Sequence, residues 1–570
     1  MNDEFRKTAP TPLDAVPFNI SQPFETRLEN GLKIVVFEEK RLPLVSFRLG
    51  FPTGDINDPA DHTGVNSAMA AMLNEGTKNR SSRQIADEIE RLGAGISASS
   101  TSDNTILSAS SLSLYSSEVL KLLADITLNP NFPENELKIY KQNTIENLKY
   151  QRSQPGFLAH EQISRIIYGD HPYSKTTPTA EDIENLTPQI LADFHAKLFV
   201  PGNAKLIIVG DFDRDRLLKE VENEFGDWES GPIAQFELPQ IPERSATTLT
   251  IVDRPGSAQS NIILSNPAID RNHPDYFPLL VMNQVLGAGA SARLFMNLRE
   301  DKGYTYGAYS AIDARRRGGA FEATAEVRTQ VTGDSLKEFF YELNRIREEK
   351  VPPQELKDAQ NFLTGVFPIR AETQEGLTNL ITSQQLFDLP DDYLQTYRER
   401  VNAITVDDIF RVAGKYIKPD RIAIVIVGDA EEVLTQVAEF SNQIEIFDTT
   451  GRPLDPASYG SPDPVENAEV SGVWKLEVDA QGQKLPIKII LNQDGDKIFG
   501  EMESMLGTGE ISNGKIKGNK FSAIAVSSFQ GQEMEIRISG KIEGDEIKGA
   551  IETGLPDFPP LPFSGKKGDE

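Results

Sequence analysis

The chain has 570 residues, 38% hydrophobic and 25% charged, which is enough apolar surface for about three or four packed domains rather than one core. Its 86 acidic residues against 58 basic ones leave a formal charge of −28, which argues against nucleic acid or anionic membrane as partner, since both need a positive surface. The lack of cysteine excludes disulfides, iron–sulfur clusters and thiolate zinc sites.

The five histidines, His62, His160, His171, His195 and His273, include no pair three to five residues apart. His160-Glu161 would need a histidine at 164 to form a zinc helix, and Ser164 stands there. No apolar run reaches the roughly 20 residues of a membrane span. Residues 1–22 are Pro-rich and read as an extended segment. They hold no apolar signal core, so a cytoplasmic protein is expected unless a leader has been removed.

Strands are predicted at Phe24–Leu28 and Leu32–Phe37, joined through the turn signal Asn30-Gly31, and at Leu44–Phe51. The stretch Gly64-Val65-Asn66-Ser67-Ala68-Met69-Ala70-Ala71-Met72-Leu73-Asn74-Glu75-Gly76-Thr77 reads as an apolar helix stopped at Gly76. Its framing, Gly-x-x-Ser to Gly-Thr, resembles the zinc helix of the insulinase, pitrilysin and mitochondrial processing peptidase family, the inverzincins. There His-x-x-Glu-His supplies two zinc ligands and a general base. With Gly76-Thr77 aligned, those places hold Ser67, Ala70 and Ala71, none of which ligates zinc or activates water.

Further helices are expected at 83–92, 116–128 and 134–152, and two strands between Gly95 and Leu114. The resemblance implies that the 134–152 helix carries the third ligand, a glutamate. Asn147 falls at that place, and a one-residue shift of register would put Glu146 there instead. Gly169-Asp170-His171-Pro172-Tyr173 is similar to the family's structural His-Pro-Tyr turn, so His171 is not taken as a ligand.

Residues 186–211 and 404–429 match without gaps at an offset of 218: Leu186/Ile404, Thr187/Thr405, Pro201/Pro419 and Val209-Gly210-Asp211/Val427-Gly428-Asp429 coincide. Each copy reads as a Thr-capped helix, a Pro turn and a buried strand. A period this long marks a duplicated domain rather than a solenoid, whose repeats run about 20–50 residues. The expected organisation is an extended segment (1–22), a first domain (23–232), a linker (233–244), a second domain (245–448), a linker (449–469) and a small all-β domain (470–566).

The second copy contains Gly287-Ala288-Gly289, a weak phosphate signal without Walker spacing. It then reads as a helix to about Lys302, a stop at Gly303, and a strand with Tyr304 and Tyr306 on one face. Arg299, Gly303 and Tyr306 match the family's second-domain signature Arg-x-x-x-Gly-x-x-Tyr. The resemblance implies that this Arg/Tyr pair faces the zinc across a closed chamber and holds the substrate backbone. From Val470, seven or eight short alternating strands predict a small barrel or sandwich with Trp474 in its core.

The expected fold class is α+β: two homologous domains, each an antiparallel sheet with helices on one face, in a clamshell, followed by the all-β domain. The expected function is a zinc-less, non-catalytic subunit of a heteromeric metallopeptidase. It would complete, through Arg299 and Tyr306, the peptide chamber of a zinc-bearing homologous partner. A non-enzymatic scaffold of the same fold is the alternative. No cofactor is expected in this chain. Zinc is expected in the partner, and peptide or unfolded polypeptide as substrate.

Overall fold

The computed structural model describes residues 18–459 and 467–568, apart from 481–482, 505–506, 530–531 and 553–560. Most of the N-terminal extended segment and the middle of the second linker lie outside the described residues. The chain forms two compact units, Met1–Gly460 and Ser461–Glu570.

In the first unit, a six-stranded sheet runs in the order Phe24–Arg27, Lys33–Glu38, Lys205–Gly210, Leu44–Phe51, Thr105–Leu112, Gly95–Ser100. It is antiparallel except where Lys205–Gly210 lies parallel to Lys33–Glu38. The second sheet has seven strands, in the order Pro453–Leu454, Ile444–Asp448, Thr248–Asp253, Ala423–Gly428, Gln259–Pro267, Gly318–Arg328, Thr305–Arg315. Its parallel pairs flank Thr248–Asp253.

The repeat is visible in register. Helices Pro188–Leu198 and Val406–Tyr416 occupy the same place in each copy, ahead of strands Lys205–Gly210 and Ala423–Gly428. Thr187 and Thr405 cap these helices, accepting the backbone N–H of Ile190 and Asp408, which satisfies one otherwise orphaned donor at each start.

The unbroken apolar runs of the repeated strands have a tertiary cause. Leu206, Ile207, Ile208 and Val209 are all fully buried, as are Ile424 to Val427, a pattern that needs cover on both faces. Each sheet packs its own helices on one face and borrows a helix from the other half for the opposite face. Pro155–Tyr168 sets Leu158, Ile163 and Ile167 against Val252, Ile263 and Val425 of the second sheet. Reciprocally, Gln374–Leu386 covers the first sheet, with the Gln374 amide donating to the Val209 carbonyl at 3.1 Å. Each of these buried aliphatic side chains contributes about 1.5–3 kcal/mol relative to exposure. Helices on one face therefore describes each half alone, and the exchange interlocks the two.

The second unit is a closed barrel of eight antiparallel strands. Its last strand, Leu561–Gly568, closes it by pairing with Gly472–Ala480 and Glu546–Glu552. Within the strand Gly507–Lys517 the register against Lys520–Phe529 shifts between Ser512 and Lys515. Trp474 is fully buried, with its indole N–H donating to the Val470 carbonyl at 2.8 Å. Among the described residues, no helix is long and apolar enough to cross a membrane.

Candidate functional site

The apolar helix spans Val65–Met72 and tightens into a 3-10 turn at Leu73–Glu75. The following Thr77 is buried and donates its hydroxyl to Asp125 at 2.7 Å. Asp125 also accepts from Asn79, Arg80 and Asn129. Gly76-Thr77 thus keeps a structural task independent of any metal.

At the helix start, the Asp58 carboxyl group accepts the backbone N–H of Gly64 at 2.6 Å and of Asn66 at 3.0 Å, which satisfies two backbone donors left open there. One turn on, Ser67 donates to Asp55 Oδ1 at 2.9 Å, and Ser100 reaches the same oxygen at 3.0 Å. Ala70 is buried and Ala71 exposed.

A cavity of about 570 Å3 opens beside this helix, walled by Asp55, Asp58, Ser67, Tyr140, Asn147 and Lys175 among others. Ser67 and Asn147 therefore meet across one space, although 80 residues separate them in sequence. Glu146 does not line it; its carboxylate pairs with Lys149 at 2.7 Å on the exposed face of the helix Glu134–Ser153. Of the two residues, Asn147 is the one that shares the cavity with Ser67.

Zinc does not fit the residues present. A hydroxyl and an amide replace imidazole and carboxylate, the alanines offer nothing, and the cavity's carboxylates are engaged by the helix start and by hydroxyls. A catalytic zinc calls for three strong protein donors, with water in the fourth place. Among the described residues, no group of three or more His, Cys, Asp or Glu side chains is placed to hold a metal.

The carboxylates give the cavity a pH response. Burial raises Asp55, against the hydroxyl donors that favour its ionised form. Burial, then the neighbouring Asp55 charge, pushes Asp58 up to about 8 from an ordinary 3.8, against its two backbone donors. Between those values the folded chain keeps a proton that the unfolded chain releases, so the group's contribution is fullest at acid pH and falls as pH rises toward 8. The melting temperature is expected to drop between about pH 4 and 8, the interval between the ordinary and the raised value of Asp58. Asp58→Asn should flatten the drop. A wild-type profile that is level across this window would refute the assignment.

The second candidate site begins at Gly287, which ends the helix Tyr276–Leu286. A Cβ there would lie 2.4 Å from Ser310 Oγ and 2.5 Å from its backbone nitrogen. The Gly287 carbonyl accepts the Ser310 N–H at 2.9 Å. Close backbone approach accounts for this glycine without a phosphate. The predicted helix is a single α turn, Arg293–Phe295, that widens into a π-helical turn at Met296–Asp301, a feature frequent at functional sites. Gly303, at φ 64°, ends it, a conformation that costs glycine nothing.

Arg299 sits on the widened turn, about half exposed, with its guanidinium 4.7 Å from the Phe295 ring centre. Its contact with Glu300 is loose, at 3.6 Å. Tyr306 lies on Thr305–Arg315, the outermost strand of its sheet. The expectation that Tyr304 and Tyr306 share a strand face is corrected here. Tyr304 precedes the strand, and Ala308 pairs with Ala325 while Thr305 pairs with Val327. Two residues, Tyr306 and Gly307, therefore oppose Glu326 alone. Such a bulge re-aims side chains at a sheet edge, and Tyr306 is 89% exposed. The bulge had no sequence signal beyond Gly307, and the Asp55–Asp58 pair had none beyond two acids ahead of a helix. His171 is buried, and its Nδ1 accepts the Tyr173 N–H at 3.2 Å.

Comparison with known proteins places this geometry. The model of the insulinase (peptidase family M16) domain matches residues 34–181, and that of the peptidase M16 inactive domain matches residues 185–363. The chain belongs to the M16 (insulinase) peptidase family. Among curated M16 relatives, the uncharacterized zinc protease YmxG of Bacillus subtilis is 23% identical over 69% of this chain and 95% of its own length. An uncharacterized zinc protease of Rickettsia felis is 24% identical over 75% and 96%. A solved M16 inactive domain from Pseudomonas fluorescens superposes with a TM-score of 0.67 at 28% identity, covering 71% of this chain and 98% of that one. A Helicobacter pylori protease shares the fold, with a TM-score of 0.66 at 19% identity, over 72% and 100%.

Proposed function

We propose that this chain is the zinc-less, non-catalytic subunit of a heteromeric M16 peptidase. A homologous partner supplies zinc and the general base, and this chain completes the peptide chamber with Arg299 and Tyr306. The observation that carries the reading is the pairing of Ser67 and Asn147 in one cavity with Ala70 and Ala71 on the same helix. Every side chain aligned with a ligand or base is chemically silent, while the Arg/Tyr signature is kept, with Tyr306 exposed on a strand edge. The Pseudomonas fluorescens structure is itself named an M16 inactive domain. A guanidinium and a phenol both donate hydrogen bonds, as needed where a scissile carbonyl gains charge. The peptide would lie as an added strand on a sheet edge of the partner.

The test is to mix the purified chain with a homologue bearing His-x-x-Glu-His and follow cleavage of an unfolded peptide. Hydrolysis by the mixture, well above either chain alone, is expected. A stable complex with no hydrolysis above that of the zinc-bearing chain would instead favour a scaffold of the same fold.

A further inference from the structure

The outer face of the barrel carries lysines in cross-strand register. Lys475, on Gly472–Ala480, lies directly opposite Lys488 of Gln483–Asp494 on one side and Lys566 of Leu561–Gly568 on the other. Lys541, on Gln532–Glu543, lies opposite Lys520, which opens Lys520–Phe529, and Lys548 of Glu546–Glu552. Two rows of three thus cross six consecutive strands of the closed eight, with one step of two residues between Lys566 and Lys548. Their chain neighbours Trp474, Ile542 and Ile547 are buried, so alternation along each strand sends the lysines outward. Five of them are exposed and Lys488 is half-buried.

Like charges directly opposite one another destabilise a sheet, and a face that needs only solvation pairs opposite signs. The same barrel does so on the next strand, where Glu503 stands opposite Lys488 at 3.3 Å. At the step between the rows, Glu546 approaches Lys566 at 3.3 Å and Lys548 at 3.6 Å. The two central lysines, Lys475 and Lys541, have no ion pair among the described residues. Lys520, Lys541 and Lys548 wall a cavity of about 580 Å3, whose lining also includes Phe521, Gly540, Gly549 and, from the next outward row, Glu543 and Glu546. That volume is ordinary for a binding site.

The occupant these features fit is an acidic polypeptide segment. Rows that wrap six strands of a closed barrel cannot all meet a flat anionic membrane, whereas a polymer can bend round them. Single-stranded nucleic acid stacks its bases on exposed aromatic rings, and among the barrel's described residues only Phe499, outside both rows, is an exposed aromatic. Carboxylates on one side of a helical or extended segment recur every roughly 5–7 Å, close to the strand spacing of about 4.8 Å. We propose that the two lysine rows bind an acidic segment of another polypeptide, its carboxylates lying along the rows and one side chain entering the cavity beside Lys541. This site is independent of Arg299 and Tyr306, and its test reads no peptidase activity.

The test is fluorescence anisotropy of a labelled peptide alternating Glu and Ser, titrated with the full chain. Saturable binding is expected, at least tenfold weaker when Gln replaces Glu in the peptide. Lys475→Gln combined with Lys541→Gln, at two exposed positions, should weaken binding at least tenfold. Lys484→Gln combined with Lys497→Gln removes the same charge from exposed positions outside the rows and should leave binding unchanged. The proposal is overturned if the Glu peptide does not bind saturably, if the Gln peptide binds as tightly, or if the two double variants behave alike. Tighter binding of inorganic polyphosphate or of anionic-lipid vesicles than of the Glu peptide would give the rows a different occupant and overturn it equally. Should the row variant fail to fold, Lys541→Gln alone and the comparison of the two peptides decide.

Discussion

Peptide hydrolysis by the mixed complex is expected to fall at least about a hundredfold when Arg299→Ala and Tyr306→Phe are combined, because loss of even one oxyanion donor typically costs 10²–10³ in turnover. The structure makes the pair suitable for such a test. Arg299 is half exposed with one loose ion pair, worth little to stability, and the Tyr306 hydroxyl projects from a bulge with 89% of the residue exposed. The double variant should therefore melt and assemble like the wild type. The loss should also appear in kcat rather than in KM alone if the donors act on developing charge. Full hydrolysis by a correctly assembled double variant would end the assignment of this pair.

The second large effect is a gain. The triple variant Ser67→His, Ala71→His and Asn147→Glu is expected to retain about one zinc per chain after dialysis, where the wild type retains none. Residues 67 and 71 are one helical turn apart on neighbouring surface, Ala71 is exposed enough to accept an imidazole, and Asn147 already shares the cavity with Ser67. Two imidazoles and a carboxylate, with water in the fourth position, form an ordinary catalytic zinc set. Ala70 is left in place, so no general base is restored and no peptidase activity is expected. Metal analysis is decisive: a folded triple variant without zinc would show that these positions do not converge as the helix alignment requires.

Both experiments rest on readings whose legibility in the sequence was uneven. That Ser67, Ala70 and Ala71 offer no ligand or base needed only residue identity, and their place on the zinc helix is what the frame Gly-x-x-Ser to Gly-Thr implies. The choice between Asn147 and Glu146 was not legible, because residues one apart on a helix differ by about 100° and only the neighbouring Val65–Met72 helix says which face looks inward. Tyr306 was found by spacing, but its exposure was missed, since simple alternation placed it with Tyr304.

The sequence by itself determined what depends on local pattern and residue type: the strands from Phe24 to Phe51, the Thr-capped helices, the duplication at an offset of 218, the buried Trp474 and the absence of His, Asp or Glu at positions 67, 70 and 71. These follow from side-chain periodicity and hydrogen bonds made within a few residues, so a short window contains all the partners. The tertiary structure decided the rest. It exchanged Pro155–Tyr168 and Gln374–Leu386 between the two sheets. It closed the barrel with Leu561–Gly568, turned Tyr306 outward through a register shift against Glu326, and set the half-buried Asp58 beside Asp55. In each case the deciding contact lies on another element, and burial, strand register and the field at a carboxylate exist only once those elements have packed.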